Sequence, residues 1–565
     1  MHAINALRTM KTPNNNMRLI LLLGILLFAF IANAQQNLYV VKFKDKSNSP
    51  YSINRPLEFL SQKAKDRRER QNIKYTVEDL PVNPSFKTEI TGLGIKIRLD
   101  LKWFNAIAVQ TTSDNIPLLR ALSYVESIES LGPIPSILQS MIKPFFKSES
   151  IENASTKKSA SANDYGLAKA QIEQVNGHLL HKLNLLGQGM TIVVLDAGFR
   201  NFYTLAIFDS LRVKGRLKGV HDFTYMPNFL NALDDTHGTE VLSIMAGWLD
   251  NKQIGTAPNA DYYLIRTEDS MSESPIEEYN WAAGAAYADS VGADIISSSL
   301  GYYTFDPAYS VYNHTYSELN GKTTFISRAA AKAAARGILV VNAAGNEGAT
   351  SWKHIIAPAD ADSILAIGAV DITGKPASFT SLGPSADGRV KPDIAATGLG
   401  TILANPENNS LMSGNGTSFS TPLTAGLCAC LWQGIPGATN IDIINALRFT
   451  ASQSASPDSV LGYGIANFYK AYLLLKKQQN NTSITKPNYL ISANPFQNRL
   501  ELIITSPSTT GWMVDIYTIQ GQLVERYLNL SSNRPKLIGN KIKSGVYLLR
   551  ILSGSQIAIE KIIKN

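Results

Sequence analysis

The sequence predicts an α/β fold: a mostly parallel sheet with helices on both faces, preceded by a small α/β unit and followed by a small β-sandwich. Three observations lead there. Short, largely apolar runs at 191–195, 262–265, 294–298, 338–342 and 364–370 alternate with helical stretches such as Ile276–Val291 and 327–336. Strands buried on both faces need covering helices, which is the parallel α/β arrangement. The 565 residues exceed one compact domain and fit about three. Polar stretches within 143–166 and 477–489 read as exposed linkers between those units.

The chain opens with a targeting pattern. Arg18 precedes an unbroken apolar stretch, Leu19–Ala32, and Ala32-Asn33-Ala34 follows with small residues at the two positions a signal peptidase reads. Residues 1–34 are therefore expected to be a signal peptide cleaved after Ala34, with Met17 an alternative start. The 14 apolar residues fall short of the ~20 needed to span a bilayer. No other segment is long and apolar enough, so no transmembrane helix is expected in the mature form.

Residues 36–131 show strand-like runs at 38–43, 95–99, 106–109 and 124–131, with helical stretches at 56–69 and 116–122. That order is compatible with a split β-α-β unit. The central unit spans 167–476. In residues 490–565 the pattern becomes short alternating strands at 500–505, 513–518, 545–551 and 558–563, with no helical period, which predicts the β-sandwich.

Composition excludes several classes. The hydrophobic content of 44% is that of a globular chain, far from the disordered regime. Cys428 and Cys430, two apart on a helix, point to different faces and make a poor disulfide or metal pair. The net charge of +8 is unevenly placed: +3 over 1–34, +5 over 35–150, −7 over 151–476 and +7 over 477–565. A nucleic-acid enzyme would carry its basic patch on the central unit, so that class is set aside.

Four strings carry chemistry. Val193-Val194-Leu195-Asp196-Ala197-Gly198 ends a buried strand with an acid, at the edge of the sheet where ligands gather; a turn-forming Asp explains it equally well by itself. His237, in Asp235-Thr236-His237-Gly238-Thr239, opens an apolar helix from which an imidazole can face a cleft. Gly414-Asn415-Gly416-Thr417-Ser418-Phe419-Ser420-Thr421-Pro422 places a hydroxyl at a helix start, where developing negative charge meets the positive end of the helix dipole. Pro422 in the first turn costs no hydrogen bond. A helix cap would explain one of these residues, not the whole string. Ala343-Ala344-Gly345-Asn346-Glu347-Gly348 follows a strand with an Asn whose amide can donate to a tetrahedral oxygen.

Together these strings, in the order Asp, His, Ser, resemble the subtilases, the subtilisin-like serine proteases. The resemblance covers about 167–476 and takes in Ser299-Leu300-Gly301 and the segment SLGPSADGRVKPD at 381–393. It implies a subtilisin-like fold and a secreted serine endopeptidase that acts on protein or peptide substrates. Ser418 would be the nucleophile, His237 the general base and Asp196 the residue fixing the imidazole. Asn346 would form the oxyanion hole with the backbone N–H of Ser418. Ser299, Leu300, Gly301 and Gly345 would bind the substrate backbone, and Ile356 would lie near the floor of a shallow pocket preferring small side chains.

No cofactor is implied. The segment Gly247–Gly255 is shorter than the family's calcium loop, so no metal site is carried over; calcium elsewhere is not readable from sequence. A Tyr-rich insertion at 302–321 lies beside the cleft, either shaping it or simply packing.

The flanks resemble known parts too. Residues 35–143 stand where subtilases carry an inhibitory prodomain, with 144–166 as a linker containing the activation cleavage. Residues 490–565 resemble the C-terminal sorting domain of type IX secretion cargo, on Asn494-Pro495-Phe496, Ile516-Tyr517, Gly521, Gly545-Val546-Tyr547 and Lys561-Ile562-Ile563-Lys564. This implies a zymogen exported to the medium or cell surface through the periplasm of a Gram-negative bacterium. A non-catalytic relative is disfavoured because every triad position is filled. A carbohydrate-binding protein would leave the four strings unexplained.

Overall fold

A computed structural model describes residues 35–135, 147–150, 165–224, 235–480, 487–492, 494–506, 511–553 and 556–565. The expected signal peptide and most of the 144–166 linker lie outside the described residues.

The N-terminal unit is an antiparallel sheet of β1 (Asn37–Phe43), β2 (Lys96–Leu101), β3 (Ala106–Thr111) and β4 (Val125–Pro133), in the order β2-β3-β1-β4. Its helices are α1 (Gln62–Arg70), α2 (Pro84–Gly92) and α3 (Ile116–Ala121). The expected helix over 56–69 is divided: a short 3-10 turn at Pro56–Glu58 precedes α1, which starts where Ser61 accepts a hydrogen bond from the Ala64 N–H. Both faces of this sheet are buried. Tyr39, Val41 and Phe43 of β1 belong to the unit's own core with Ile107 and Val109, whereas Leu38 and Val40 join a core shared with the central unit. The period-2 alternation of a strand makes this two-sided packing possible.

The central unit carries a seven-stranded parallel sheet, ordered β14-β13-β12-β11-β6-β10-β7. Its strands are β6 (Thr191–Asp196), β7 (Leu217–Asp222), β10 (Asp261–Arg266), β11 (Ile295–Ser298), β12 (Leu339–Ala343), β13 (Leu365–Val370) and β14 (Ile394–Thr397). Every expected strand is present. The edge strands β7 and β14 lack a long apolar run and went unread. Helices α4 (Lys169–Gln174), α5 (Gly177–Lys182), α6 (Asp209–Val213), α7 (His237–Ala246), α8 (Ile276–Val291), α9 (Phe325–Ala335), α10 (Thr417–Gly434), α11 (Asn440–Thr450) and α12 (Phe468–Asn480) follow in chain order. One core lies between the sheet and α7, α10 and α11. A second lies between the sheet and α8 and α9. Two small sheets complete this region: the hairpin β8 (Trp248–Leu249) and β9 (Gln253–Ile254), and the sheet of β5 (Lys147–Ser150), β15 (Leu399–Ala404) and β16 (Leu411–Asn415).

The N-terminal unit docks on α8 and α9. Arg67 and Arg68 of α1, both fully buried, reach Asp289 near the end of α8 at 2.5 and 2.8 Å. Arg68 also pairs with Asp79 at 3.0 Å, and Arg336 closes the cluster on the same carboxylate at 2.8 Å. Burial alone would raise the Asp289 carboxyl, but Lys102, Arg68 and Arg67 outweigh it and hold it far below the usual carboxylate range. Lys63 and Arg70 add a second anchor on Asp294, at 3.1 and 3.2 Å.

The C-terminal unit is two packed sheets. One holds β17 (Tyr489–Ile491), β18 (Leu500–Ile504) and β21 (Lys536–Ile538); the other holds β19 (Trp512–Thr518), β20 (Leu523–Leu530), β22 (Gly545–Ser553) and β23 (Gln556–Lys564). Trp512, Leu500, Val514, Ile538 and Ile551 fill a core of its own.

Candidate active site

The C-terminal ends of β6, β11 and β12 lie side by side because these strands pair in parallel register, Ser298 opposite Leu195 and Asn342 opposite Ser298. The Asp196 string, Ser299–Gly301 and the Asn346 string are thereby delivered to one edge. The His237 string opens α7, and the Ser418 string arrives from β16, which leads through Asn415 and Gly416 into α10.

Asp196 is fully buried at the end of β6. Its Oδ1 accepts from the Ala197 N–H at 2.8 Å and stands 2.7 Å from His237 Nδ1. His237 opens α7, its backbone N–H donating to Asp235 Oδ1 at 2.7 Å. Burial pushes the imidazole pKa down. The Asp196 charge and hydrogen bond outweigh that, Glu240 and Asp235 add to them, and the value is pushed up to about 9. The carboxylate contact fixes Nδ1 toward Asp196, which leaves Nε2 as the nitrogen for proton transfer. The ring lies 5.9 Å from that of Phe419, the residue after Ser418.

Ser418 sits in the first turn of α10 and is bound to the end of β11 both ways. Its Oγ donates to the Ser299 carbonyl at 3.3 Å, and Ser299 Oγ donates to the Ser418 carbonyl at 2.8 Å. Asn346 is oriented by a residue that sequence reasoning missed. Its Oδ1 accepts from the Thr417 N–H at 2.8 Å and from Thr417 Oγ1 at 3.0 Å. With the oxygen so engaged, the side-chain NH₂ is presented as a donor beside Gly416, where an added Cβ would stand 3.5 Å from it. The Gly345 N–H donates to Thr417 Oγ1 at 3.2 Å.

These groups border an open cleft lined by Ser299, Leu300, Gly301, Gly345, Asn346, Ile356 and Ser418, together with Glu268 and Ser270. Of the sequence-predicted positions, Ser299, Leu300, Gly301, Gly345, Asn346 and Ser418 line it, while Asp196 and His237 stand together behind Ala197 and Asp235, which also line it. Ile356 is wedged between two glycines: a Cβ on Gly301 would come within 2.6 Å of its side chain, and one on Gly345 within 2.9 Å. Gly345 has φ +111° as well, a conformation that other residues rarely adopt.

The Tyr-rich insertion both packs and docks. Tyr302 and Tyr309 are buried, and the hydroxyls of Tyr309 and Tyr312 donate to the carbonyls of Pro133 and Ser130 in β4. Glu268 and Ser270 were unread in sequence; their only signal is position, just past the buried strand β10.

The family model described as "Subtilase family" matches residues 187–464. "Peptidase S8 propeptide domain, Bacteroidota" matches 38–143, and "Secretion system C-terminal sorting domain" matches 493–565. Subtilisin DY of Bacillus licheniformis is 30% identical over 269 residues, 47% of this chain and 85% of that protein. An alkaline protease of Alkalihalobacillus alcalophilus is 28% identical over 357 residues, 63% of this chain and 79% of that protein. Among solved structures, MycP1 with its N-terminal propeptide removed is 21% identical, with a TM-score of 0.42, over 54% of this chain and 96% of that one. Among the described residues no helix is long and apolar enough to cross a membrane. The protein is a secreted serine endopeptidase made as a zymogen, and the chain belongs to the subtilase family.

Proposed function

We propose that peptide bonds are cleaved through an acyl-enzyme on Ser418. Its hydroxyl proton passes to His237 Nε2 as Oγ attacks the carbonyl carbon, while Asp196 holds the imidazole and stabilises its cation. The oxygen of the tetrahedral intermediate is received by the Asn346 NH₂ and the Ser418 N–H. When the C–N bond breaks, the leaving amine takes the proton from His237. Water then repeats the sequence on the ester and releases the acid. Ser299, Leu300, Gly301 and Gly345 pair with the substrate backbone as an added strand. The observation that carries this reading is the 2.7 Å contact of His237 Nδ1 with Asp196, next to the helix whose first turn holds Ser418. A fluorophosphonate should label the processed enzyme and fail to label Ser418→Ala; equal labelling of the variant overturns the assignment.

The organisation proposed with it is a signal peptide (1–34), an inhibitory prodomain (35–143), a cleavable linker (144–166), a catalytic domain (167–476), a second linker (477–489) and a sorting domain (490–565) read by type IX secretion machinery after passage through the periplasm of a Gram-negative cell. The pairing of β5 with β16 supports the position of the cleavable linker, because it sets Lys147 opposite Asn415, three residues before Ser418. The seat of Ile356 between Gly301 and Gly345 supports a shallow pocket for small side chains.

A further inference from the structure

We infer that Tyr303, in the Tyr-rich insertion, is a positioning residue for the oxyanion donor: through Glu347 it fixes the turn on which Asn346 stands. The inference rests on the role proposed above for Asn346.

Glu347 follows Asn346 directly and is only 7% exposed. A carboxylate so placed needs donors. Its Oε2 accepts from the Tyr303 hydroxyl at 2.9 Å and from Thr350 Oγ1 at 3.0 Å. Thr350 belongs to the same turn, its N–H donating to the Glu347 carbonyl at 2.9 Å, so it moves with Glu347. Tyr303, 44 positions away, ties the carboxylate to a different element. The backbone on either side of Asn346 is gripped by Ser381, whose N–H donates to the Gly345 carbonyl at 3.0 Å and whose Oγ accepts from the Glu347 N–H at 2.9 Å. Thr417 holds the Asn346 side-chain oxygen. The Tyr303 bond is a further fastening of this turn, and it comes from the insertion.

The insertion backs the rest of the same loop as well. Tyr302 and Ala357 exchange backbone hydrogen bonds at 2.7 and 3.1 Å. The Tyr303 ring stacks on Trp352, with centroids 4.7 Å apart, and Trp352 Nε1 donates to the carbonyl of Ile355 at 3.2 Å, just before Ile356. Tyr316 stacks on His354 at 4.0 Å. The loop that carries Asn346 at one end and Ile356 at the other is thus seated on the insertion along its length. Packing alone accounts for the rings. It does not call for a hydroxyl set on the carboxylate beside Asn346.

An oxyanion donor works only when held about 2.7–3.1 Å from the oxygen of the transition state, so a loosened turn weakens the transition state more than the bound substrate. Among the described residues lining the cleft Tyr303 does not appear; it acts through Glu347.

Steady-state cleavage of a peptide amide by the processed enzyme tests this. Tyr303→Phe keeps the ring and removes the hydroxyl. It should lower kcat by about threefold to tenfold with KM unchanged. It should also weaken inhibition by a peptide boronic acid, which forms a tetrahedral adduct on Ser418, by a similar factor, and leave inhibition by the matching product acid as it was. In a Glu347→Ala background the same substitution should cost nothing more, because its partner is gone. Glu347→Gln weakens the same hydrogen bond without opening space; it should show a smaller fall of the same kind, and it decides if the Tyr303 variant does not fold. Asn346→Ala is the reference and should cost about 10²–10³ in kcat. If that loss is absent, the role of Asn346 falls and the inference with it. If it is present while Tyr303→Phe keeps the parent's kcat, changes KM alone, or only melts earlier, Tyr303 is packing and the inference is overturned.

Discussion

At the scale of single residues, the electrostatics of His237 set the working pH. A general base must be neutral, and this imidazole is held up at about 9 rather than near the ordinary ~6.5. The rise of kcat/KM with pH should therefore lie above the ordinary imidazole value, toward about 9; a limb at the ordinary value would show that the Asp196 contact does not raise this imidazole in the working enzyme. The linked stability runs the other way. The folded value exceeds the unfolded one, so the ion pair stabilises fully below about 6.5 and this contribution is lost as pH climbs through about 9. Asp196, His237 and Ser418 were legible in sequence because each sits in a string whose glycines, prolines and strand ends constrain the backbone. Thr417 and Glu268 were not. A threonine that orients its neighbour's amide and an acid that turns toward two others are defined by contacts across 71 and up to 9 positions respectively, with no local periodicity to announce them.

At the scale of elements, the strands buried on both faces were readable because an apolar run of five or six residues has few other uses. The docking helix α1 was readable only as a helix. Its sequence Gln-Lys-Ala-Lys-Asp-Arg-Arg-Glu-Arg looks like a solvated face, yet Arg67 and Arg68 are fully buried because their counter-charges come from another unit. Removing one partner of a buried ion pair costs about 3–5 kcal/mol. Arg67→Ala in the full chain carrying Ser418→Ala should accordingly melt well below its parent, with a smaller loss for Lys63→Ala, whose side chain is one-third exposed. Equal melting temperatures for parent and Arg67→Ala would mean the cluster contributes nothing to docking. The pocket element offers a parallel test. Ile356→Ala should deepen the space between Gly301 and Gly345 and shift a peptide-library profile from small toward larger side chains preceding the scissile bond; an unchanged profile would place the selectivity elsewhere.

At the scale of the whole molecule, the three-part division was legible from composition, whereas the relation between the parts was not. The C-terminal sandwich has its own closed core, while the N-terminal unit contributes Leu38, Val40, Trp103 and Ala108 to the same core as α8 and α9. Deleting 490–565 should therefore leave the melting of the remainder unchanged and strand the protein inside a cell that otherwise exports it, as read by fractionation. Export of the truncated chain at full yield would remove the sorting role. Deleting 35–143 should instead prevent folding of the central unit, since it uncovers an apolar helix face and isolates Asp289.

That carboxylate has a consequence for timing. Each side of the junction lends the other a charge it lacks, Arg67 and Arg68 from one and Asp289 and Arg336 from the other. Cutting the peptide link between them does not undo this exchange. If the linker is cut as proposed, the N-terminal unit should stay seated until several ions are rehydrated together, so that cleavage and the onset of activity would run on two clocks, the second of them slower.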